Sequence, residues 1–310
     1  MRILVSGSLA YDRIMTFPGK FSDHILPDKI HIINVCFLVN GLTEKFGGTA
    51  GNIAYSLKLL GQEPVILATA GKDFAGYRQW LEKCGMTFEG VRQVDEEFTA
   101  GAYITTDQSD NQITGFNPGA MKFPCGYDVD GLGAADALAI VAPGNLDDMQ
   151  DYPRRYKARG IRFVLDPGQN ITAFSGEALT EMLTGATFLI SNDYELELIV
   201  NATGLTLADI LSRVGTLITT LGEKGSAIRQ GGTELAIPPA RATAVKDPTG
   251  AGDAFRAGLL MGLAAGLPLE KAGRLGSVSA VYAVEHHGTQ EHAYTRQEFL
   301  ARYEENFGPL

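Results

Sequence analysis

The stretch Asp247-Pro248-Thr249-Gly250-Ala251-Gly252-Asp253-Ala254-Phe255 closes a turn-rich segment and opens a long apolar one. Beyond it, Ala254, Ala257, Gly258, Leu260, Met261, Ala264 and Ala265 recur at helical spacing. This places residues 250–252 just ahead of a helix, where backbone N–H groups lack intrahelical acceptors. Aligned peptide dipoles add partial positive charge at such an end, and two glycines let the backbone approach an anion closely. Asp253, in the first turn, would face the same place. In phosphoryl transfer a protein mainly positions groups and neutralises charge, and a carboxylate accepts the proton of the attacking hydroxyl. A lone Gly-x-Gly-Asp has a plainer explanation, an acidic cap on a helix after a glycine loop, so the rest of the chain must decide.

Working outward, the chain alternates strand-like and helix-like segments. Ile3-Leu4-Val5-Ser6-Gly7 reads as a buried strand, residues 49–60 as a helix closed by Gly61, residues 64–70 as a strand, and residues 74–84 as a helix ending at Gly85. Further strands are expected at residues 137–141, 161–165, 187–191 and 216–220, with helices between most of them. Such alternation predicts an α/β fold, a doubly wound and mainly parallel sheet flanked by helices, with ligands at the strand C-terminal ends. Two segments break the rhythm. Residues 31–39 form a β-branched and aromatic run with no helix before it, and residues 102–106 and 112–116 predict a hairpin around the polar residues 107–111. Both are expected as strands outside the main sheet, either ordinary surface hairpins or a small inserted β-sheet lid. The resulting division is a core of residues 1–16, 44–98 and 117–310 and a lid of residues 17–43 and 99–116.

The 310 residues carry a net charge of −10, with 45% apolar and 20% charged residues. This is a globular composition without the basic surplus that nucleic-acid binding needs. No segment approaches about 20 uninterrupted apolar residues, so no membrane association is expected. Cys36, Cys84 and Cys125 are odd in number, far apart and without a C-x-x-C, as reduced thiols in a cytoplasmic protein would be.

Four further groups carry chemistry. Gly47-Gly48-Thr49-Ala50-Gly51-Asn52 opens the first long helix and would present backbone amides and one side-chain amide together, which suits a polyhydroxy ligand. Asp12, near a strand end, can accept two hydrogen bonds from adjacent hydroxyls. Asn192 and Glu195 follow an expected strand three positions apart; they fit either a capping box or an amide–acid pair holding hydrated Mg²⁺ near phosphates. Thr220-Leu221-Gly222-Glu223-Lys224-Gly225 turns a strand end through two glycines, as a nucleotide-contacting hairpin or a simple tight turn.

Together and in this order, these pieces resemble the ribokinase-like (PfkB) family of carbohydrate and nucleoside kinases over nearly the whole chain. The carriers are the Gly-Gly-x-x-x-Asn helix start at residues 47–52 and the D-x-T-G-A-G-D-x-F run at residues 247–255. The resemblance implies that Asp253 is the catalytic base, that Gly250, Ala251 and Gly252 form the anion hole, and that Asp12, Gly48 and Asn52 grip the acceptor. It further implies that Asn192 and Glu195 organise Mg²⁺ and the ATP phosphates, and that Thr220, Gly222 and Gly225 contact the nucleotide. Asp247, Thr249 and Gly288 match positions beside a monovalent cation such as K⁺. The lid and tail segments, residues 21–29, 111–121 and 287–294, look like the bacterial adenosine kinase branch. Ser8 and Ala10 match nucleoside-touching positions there. Phe37, Phe116 and Tyr11 are candidates for a flat purine slot, with core packing as the alternative for each.

The implied activity is ATP-dependent phosphorylation of the 5′-hydroxyl of a nucleoside, adenosine first, by a monomer or a lid-mediated homodimer. A sugar acceptor on the same machinery and a non-catalytic nucleoside-binding protein are the alternatives. No Gly-x-x-x-x-Gly-Lys-Ser/Thr, Rossmann G-x-G-x-x-G, zinc pattern or G-x-S-x-G elbow occurs.

Overall fold

The computed structural model describes residues 1–310. In chain order, β1 (Arg2–Ser6) leads through Gly7-Ser8-Leu9 into β2 (Ala10–Thr16), and β3 (Asn40–Gly47) feeds α1 (Thr49–Leu59). There follow β4 (Pro64–Gly71), α2 (Phe74–Lys83), β5 (Val91–Val94), β6 (Ala100–Thr106), β7 (Gln112–Asn117), β8 (Ala137–Val141), α3 (Leu146–Arg159) and β9 (Arg162–Leu165). The second half adds α4 (Gly176–Leu183), β10 (Phe188–Asn192), α5 (Asp193–Thr203), α6 (Leu207–Arg213), β11 (Thr216–Thr220), β12 (Ser226–Gln230) and β13 (Thr233–Ile237). Three helices complete the chain, α7 (Ala251–Ala264), α8 (Leu269–Val284) and α9 (Arg296–Phe307).

Nine strands form one sheet in the order β13-β12-β11-β10-β9-β8-β1-β4-β5. Seven of them run parallel from β11 to β5, and the β11–β12–β13 meander is antiparallel. Helices cover both faces, which is why β4 is buried at every position and apolar at all but Thr69 instead of alternating. Ile3, Val5, Ile66 and Ile140 point to the face packed by α1, α2, α7, α8 and α9. Leu4, Val65, Leu67 and Ala139 point to the face packed by α3 to α6. The strand order reverses beside β1: the chain leaves it towards β4 on one side and joins β8 on the other. A cleft is expected outside the strand ends at such a point.

A second sheet, in the order β3-β2-β6-β7, stands apart from the first. Its hairpin β6–β7 turns through residues 107–111 as the polar run predicts. Asp107 organises that turn, accepting from Ser109 N (2.8 Å) and Asn111 N (2.9 Å) with one oxygen and from Phe21 N (2.9 Å) with the other. It thereby pins the excursion between β2 and β3 to the hairpin.

Two expectations change here. Residues 31–39 are not a strand: a 3-10 turn over Pro27–Ile32 leads into irregular backbone, and Phe37 packs instead with Phe17, Phe21 and His24. The strands that pair with the hairpin come from Ala10–Thr16 and Asn40–Gly47, so the second sheet reaches beyond residues 17–43 and 99–116. Pairing of β2 with β6 is parallel.

Candidate active site

Two chambers meet at the strand C-terminal ends. The first, about 530 Å³, is lined by Ser8, Asp12, Gly48, Asn52, Thr249, Gly250 and Asp253 among others. The second, about 330 Å³, is lined by Asn192, Glu195, Thr220, Gly222, Gly250, Gly252, Asp253 and Arg256 among others, with Pro143 its one apolar side chain. Gly250 and Asp253 belong to both walls. Of the other residues singled out above, Ala251, Gly225, Asp247 and Gly288 line neither chamber.

The wall between the chambers is the start of α7. Gly250 takes a left-handed conformation (φ +79°), and a side chain there would press on Thr289. Ala251 N–H turns back to Pro248 O (3.2 Å), whereas the N–H groups of Gly252 and Asp253 have no protein acceptor. The unpaired amides at this helix start are therefore those of Gly252 and Asp253, with Ala251's already used.

Asp253 is half-buried and accepts from Asn52 Nδ2 (2.8 Å). Its pKa is pushed up to about 6, chiefly by burial; the Arg256 cation and the Asn52 hydrogen bond oppose this, and the Asp166 and Glu195 carboxylates add to it. Asp12, the third residue of β2, is likewise pushed up by burial. It has room because position 47 is glycine: a Cβ there would lie 2.6 Å from its Oδ2.

The start of α1 differs from expectation. Ser8 Oγ accepts from Thr49 N (3.0 Å) and Ser8 O from Ala50 N (3.0 Å), so these first amides are spent on the end of β1 and are not presented to the cleft. Gly48 permits that close approach, with φ +88° and an added Cβ only 2.5 Å from Ser8 O. What α1 offers the cleft is the Asn52 side chain.

In the second chamber the capping box of α5 is present. Asn192 Oδ1 accepts from Glu195 N (2.7 Å) and Glu195 Oε2 from Asn192 N (2.8 Å). The box leaves the amide nitrogen of Asn192 and the second oxygen of Glu195 on the chamber wall. Burial raises the Glu195 pKa, against the Asn192 N–H and the Arg256 cation. Thr220 ends β11, and Gly222 (φ +60°) turns the chain away. Gly225 is needed for packing, since a Cβ there would lie 2.1 Å from Ile237 O. Asp247 ties two loops, accepting from Thr249 N (2.9 Å) and Gly288 N (3.0 Å). Burial works against its ionised form, but these N–H groups, with the Thr249 side chain, outweigh it and hold its pKa low.

Of the three rings considered for a purine slot, only Phe116 lines the first chamber, beside Met121. Tyr11 is a core residue whose hydroxyl donates to Asp73 O (2.9 Å) and accepts from Tyr77 N (3.0 Å). Sequence reasoning missed Gln169 and Asn170, which follow β9 and line the first chamber. It also missed Arg256, which forks onto Asp166 (Nη2 to Oδ1 2.7 Å, with Nε on the other oxygen) and reaches Gly252 O (3.0 Å). Arg256 lies one turn after Asp253, so helical spacing alone would have placed it at the same cleft.

A family model described as pfkB family carbohydrate kinase matches residues 22–296. A nucleoside kinase of Methanocaldococcus jannaschii is 34% identical over 281 residues, 88% of this chain and 90% of that protein. A solved nucleoside kinase structure from the same species superposes with a TM-score of 0.87 at 30% identity, covering 98% of each chain. The nucleoside kinase of Burkholderia thailandensis, solved in complex with inosine, superposes with a TM-score of 0.84 at 41% identity, covering 99% of this chain and 98% of that one.

Proposed function

We propose that this chain, which belongs to the pfkB family of carbohydrate kinases and is therefore a phosphotransferase acting on hydroxyl groups, takes its acceptor hydroxyl from a nucleoside, adenosine first, and its phosphoryl group from ATP. The observation that carries this assignment is Asp253, on the wall of both chambers. One chamber has the size of a small-molecule site and a half-buried carboxylate, Asp12, suited to adjacent ribose hydroxyls. The other is mainly polar, as suits phosphates.

In this mechanism the 5′-hydroxyl lies against Asp253, which takes its proton as the new O–P bond forms. The unpaired N–H groups of Gly252 and Asp253 and the dipole of α7 meet the charge on the γ-phosphoryl oxygens. Asn192 and Glu195 are hard donors on the phosphate side, and no cluster of three or more His, Cys, Asp or Glu residues could cage a metal. A Mg²⁺ bound there would share its ligands with water and ATP and would neutralise phosphate charge. Asp247 accepts from Thr249 N with one oxygen and from Gly288 N with the other, so the trio clamps two loops together.

The Gln169 side-chain amide can donate and accept, which suits a 6-amino or a 6-oxo purine; the Asn170 nitrogen is spent on Gly144 O (3.1 Å) and Met149 Sδ (3.3 Å), so Asn170 offers only its oxygen. The inosine complex of the Burkholderia thailandensis relative makes inosine the second acceptor to test. The experiment compares kcat/KM with Mg-ATP across adenosine, inosine, other nucleosides, ribose, fructose and fructose phosphates. A sugar winning by a wide margin would overturn the nucleoside assignment.

Two further outcomes are expected. Asp12→Ala should weaken nucleoside binding about 10- to 100-fold, the worth of hydrogen bonds to a charged group; unchanged affinity in calorimetry would remove Asp12 from the site. Because Asp253 must be ionised to act, kcat/KM should fall as pH drops through about 6. A profile flat down to the ordinary carboxylate range would exclude Asp253 as the base.

A further inference from the structure

Behind the first chamber, five side chains from three parts of the sequence and the start of α7 form one branched network of hydrogen bonds. Trp80, the only tryptophan, donates from Nε1 to Gln290 Oε1 (2.8 Å). Gln290 Nε2 donates to Asn52 Oδ1 (3.0 Å) and to the Tyr77 hydroxyl (2.8 Å). The Tyr77 hydroxyl donates to Gly47 O (2.8 Å), and Asn52 Nδ2 donates to Asp253 Oδ2 (2.8 Å). Gln290, Tyr77 and Asn52 are all buried. The chain can pass this close to α1 only because position 51 is glycine: a Cβ there would sit 2.0 Å from the Tyr77 hydroxyl and 2.9 Å from Gln290 Nε2.

The direction of every bond follows from one end. An indole N–H can only donate, so the Gln290 atom facing it must be the oxygen. That leaves the Gln290 nitrogen for Asn52, which commits the Asn52 oxygen and leaves its nitrogen for Asp253. Were Asn52 turned over, two acceptor oxygens would face each other in a half-buried place, at the cost of an unmade hydrogen bond on each side.

We propose that Trp80 and Gln290 are positioning residues of the acceptor site: the indole N–H sets the orientation of the Gln290 amide, Gln290 sets that of Asn52, and Asn52 therefore always presents a donor to the Asp253 carboxylate. This rests on the reading in which Asp253 is the base. It extends that reading to two side chains outside the chamber wall.

Gln290→Glu and Gln290→Met separate orientation from packing. An ionised glutamate, assayed towards alkaline pH, is nearly isosteric but acceptor-only, so it draws the Asn52 nitrogen towards itself and turns its oxygen onto Asp253. A methionine leaves Asn52 free to keep its native orientation. The expected result is that Gln290→Glu lowers kcat about 10- to 100-fold, the scale for a misplaced reacting group, with the KM for ATP unchanged and with Gln290→Met milder.

The single tryptophan also gives one indole N–H resonance, readable without substrate, and Asn52→Leu should move it although Trp80 is untouched. A glutamate variant no worse than the methionine variant, or an indole resonance unmoved by Asn52→Leu, would overturn the proposal. If Gln290→Glu does not fold, the cycle of Trp80→Phe with Gln290→Met decides: losses in kcat that fail to add support the relay, and additive losses overturn it. If the wild-type protein phosphorylates no nucleoside, the proposed function fails by itself, and the indole resonance still tests the relay.

Discussion

Asp253→Asn is expected to lower kcat at least about 100-fold, the usual scale for a general base, while nucleoside and ATP binding change little. Asparagine keeps the shape and still accepts from Asn52, but it cannot take a proton. The same substitution should raise thermal stability at neutral pH. Burial lifts the folded-state pKa of Asp253 from 3.8 to about 6, so its contribution to stability is fully present below 3.8 and is lost as pH rises through 6. A neutral side chain escapes that penalty. Turnover assays and thermal melts at neutral pH check both parts. A variant that melts higher and is inactive separates chemistry from folding, and near wild-type turnover would withdraw Asp253 as the base.

Arg256→Met should be the most damaging substitution for stability near the site. Arg256 and Asp166 are both buried, with 8% and 3% of their side chains exposed. Removing the cation leaves Asp166 as an uncompensated buried charge, which costs about 3–5 kcal/mol. It also frees the Gly252 carbonyl that Arg256 holds (3.0 Å) and slackens the first turn of α7. Urea unfolding measures the loss. The double variant Asp166→Leu with Arg256→Met should recover most of it, because an apolar pair of similar volume carries no buried charge. Equal instability in single and double variants would mean that the shape of the arginine, and not its charge, is what the fold uses.

The core strands were legible because apolar runs such as Ile3-Leu4-Val5 and Val65-Ile66-Leu67 are apolar on both faces, and only a sheet covered on both sides wants that. The second sheet was harder. β3 is Asn40-Gly41-Leu42-Thr43-Glu44-Lys45-Phe46-Gly47, exposed over its first five positions, so neither face leaves an alternation to read. The β-branched residues 31–39 imitated a strand, but the segment is anchored by Phe37 packing on Phe17, Phe21 and His24 and not by strand pairing. The Gly231-Gly232 turn between β12 and β13 did carry a hairpin signal that went unread.

At the site, Asp253, Gly250, Asn52 and Asp12 stood out through local motifs, and the fold brings them to one chamber. Helical spacing after Asp253 points to Arg256, but its pairing with Asp166, and that of Trp80 with Gln290, left no such trace. Their partners are 90 and 210 positions apart, and hydrogen bonds closed over that distance follow from topology, which no local window contains.

β2 runs on from β1 after three residues but belongs to the second sheet, and Asp12 lies on it, whereas Asn52 and Asp253 belong to elements packed on the first. A nucleoside whose ribose bonds to both Asp12 and Asn52 is therefore a latch between two bodies. Its binding and the docking of the second sheet would be thermodynamically coupled, so loosening that sheet along β2 should register as weaker acceptor affinity even where no ligand-touching atom has changed.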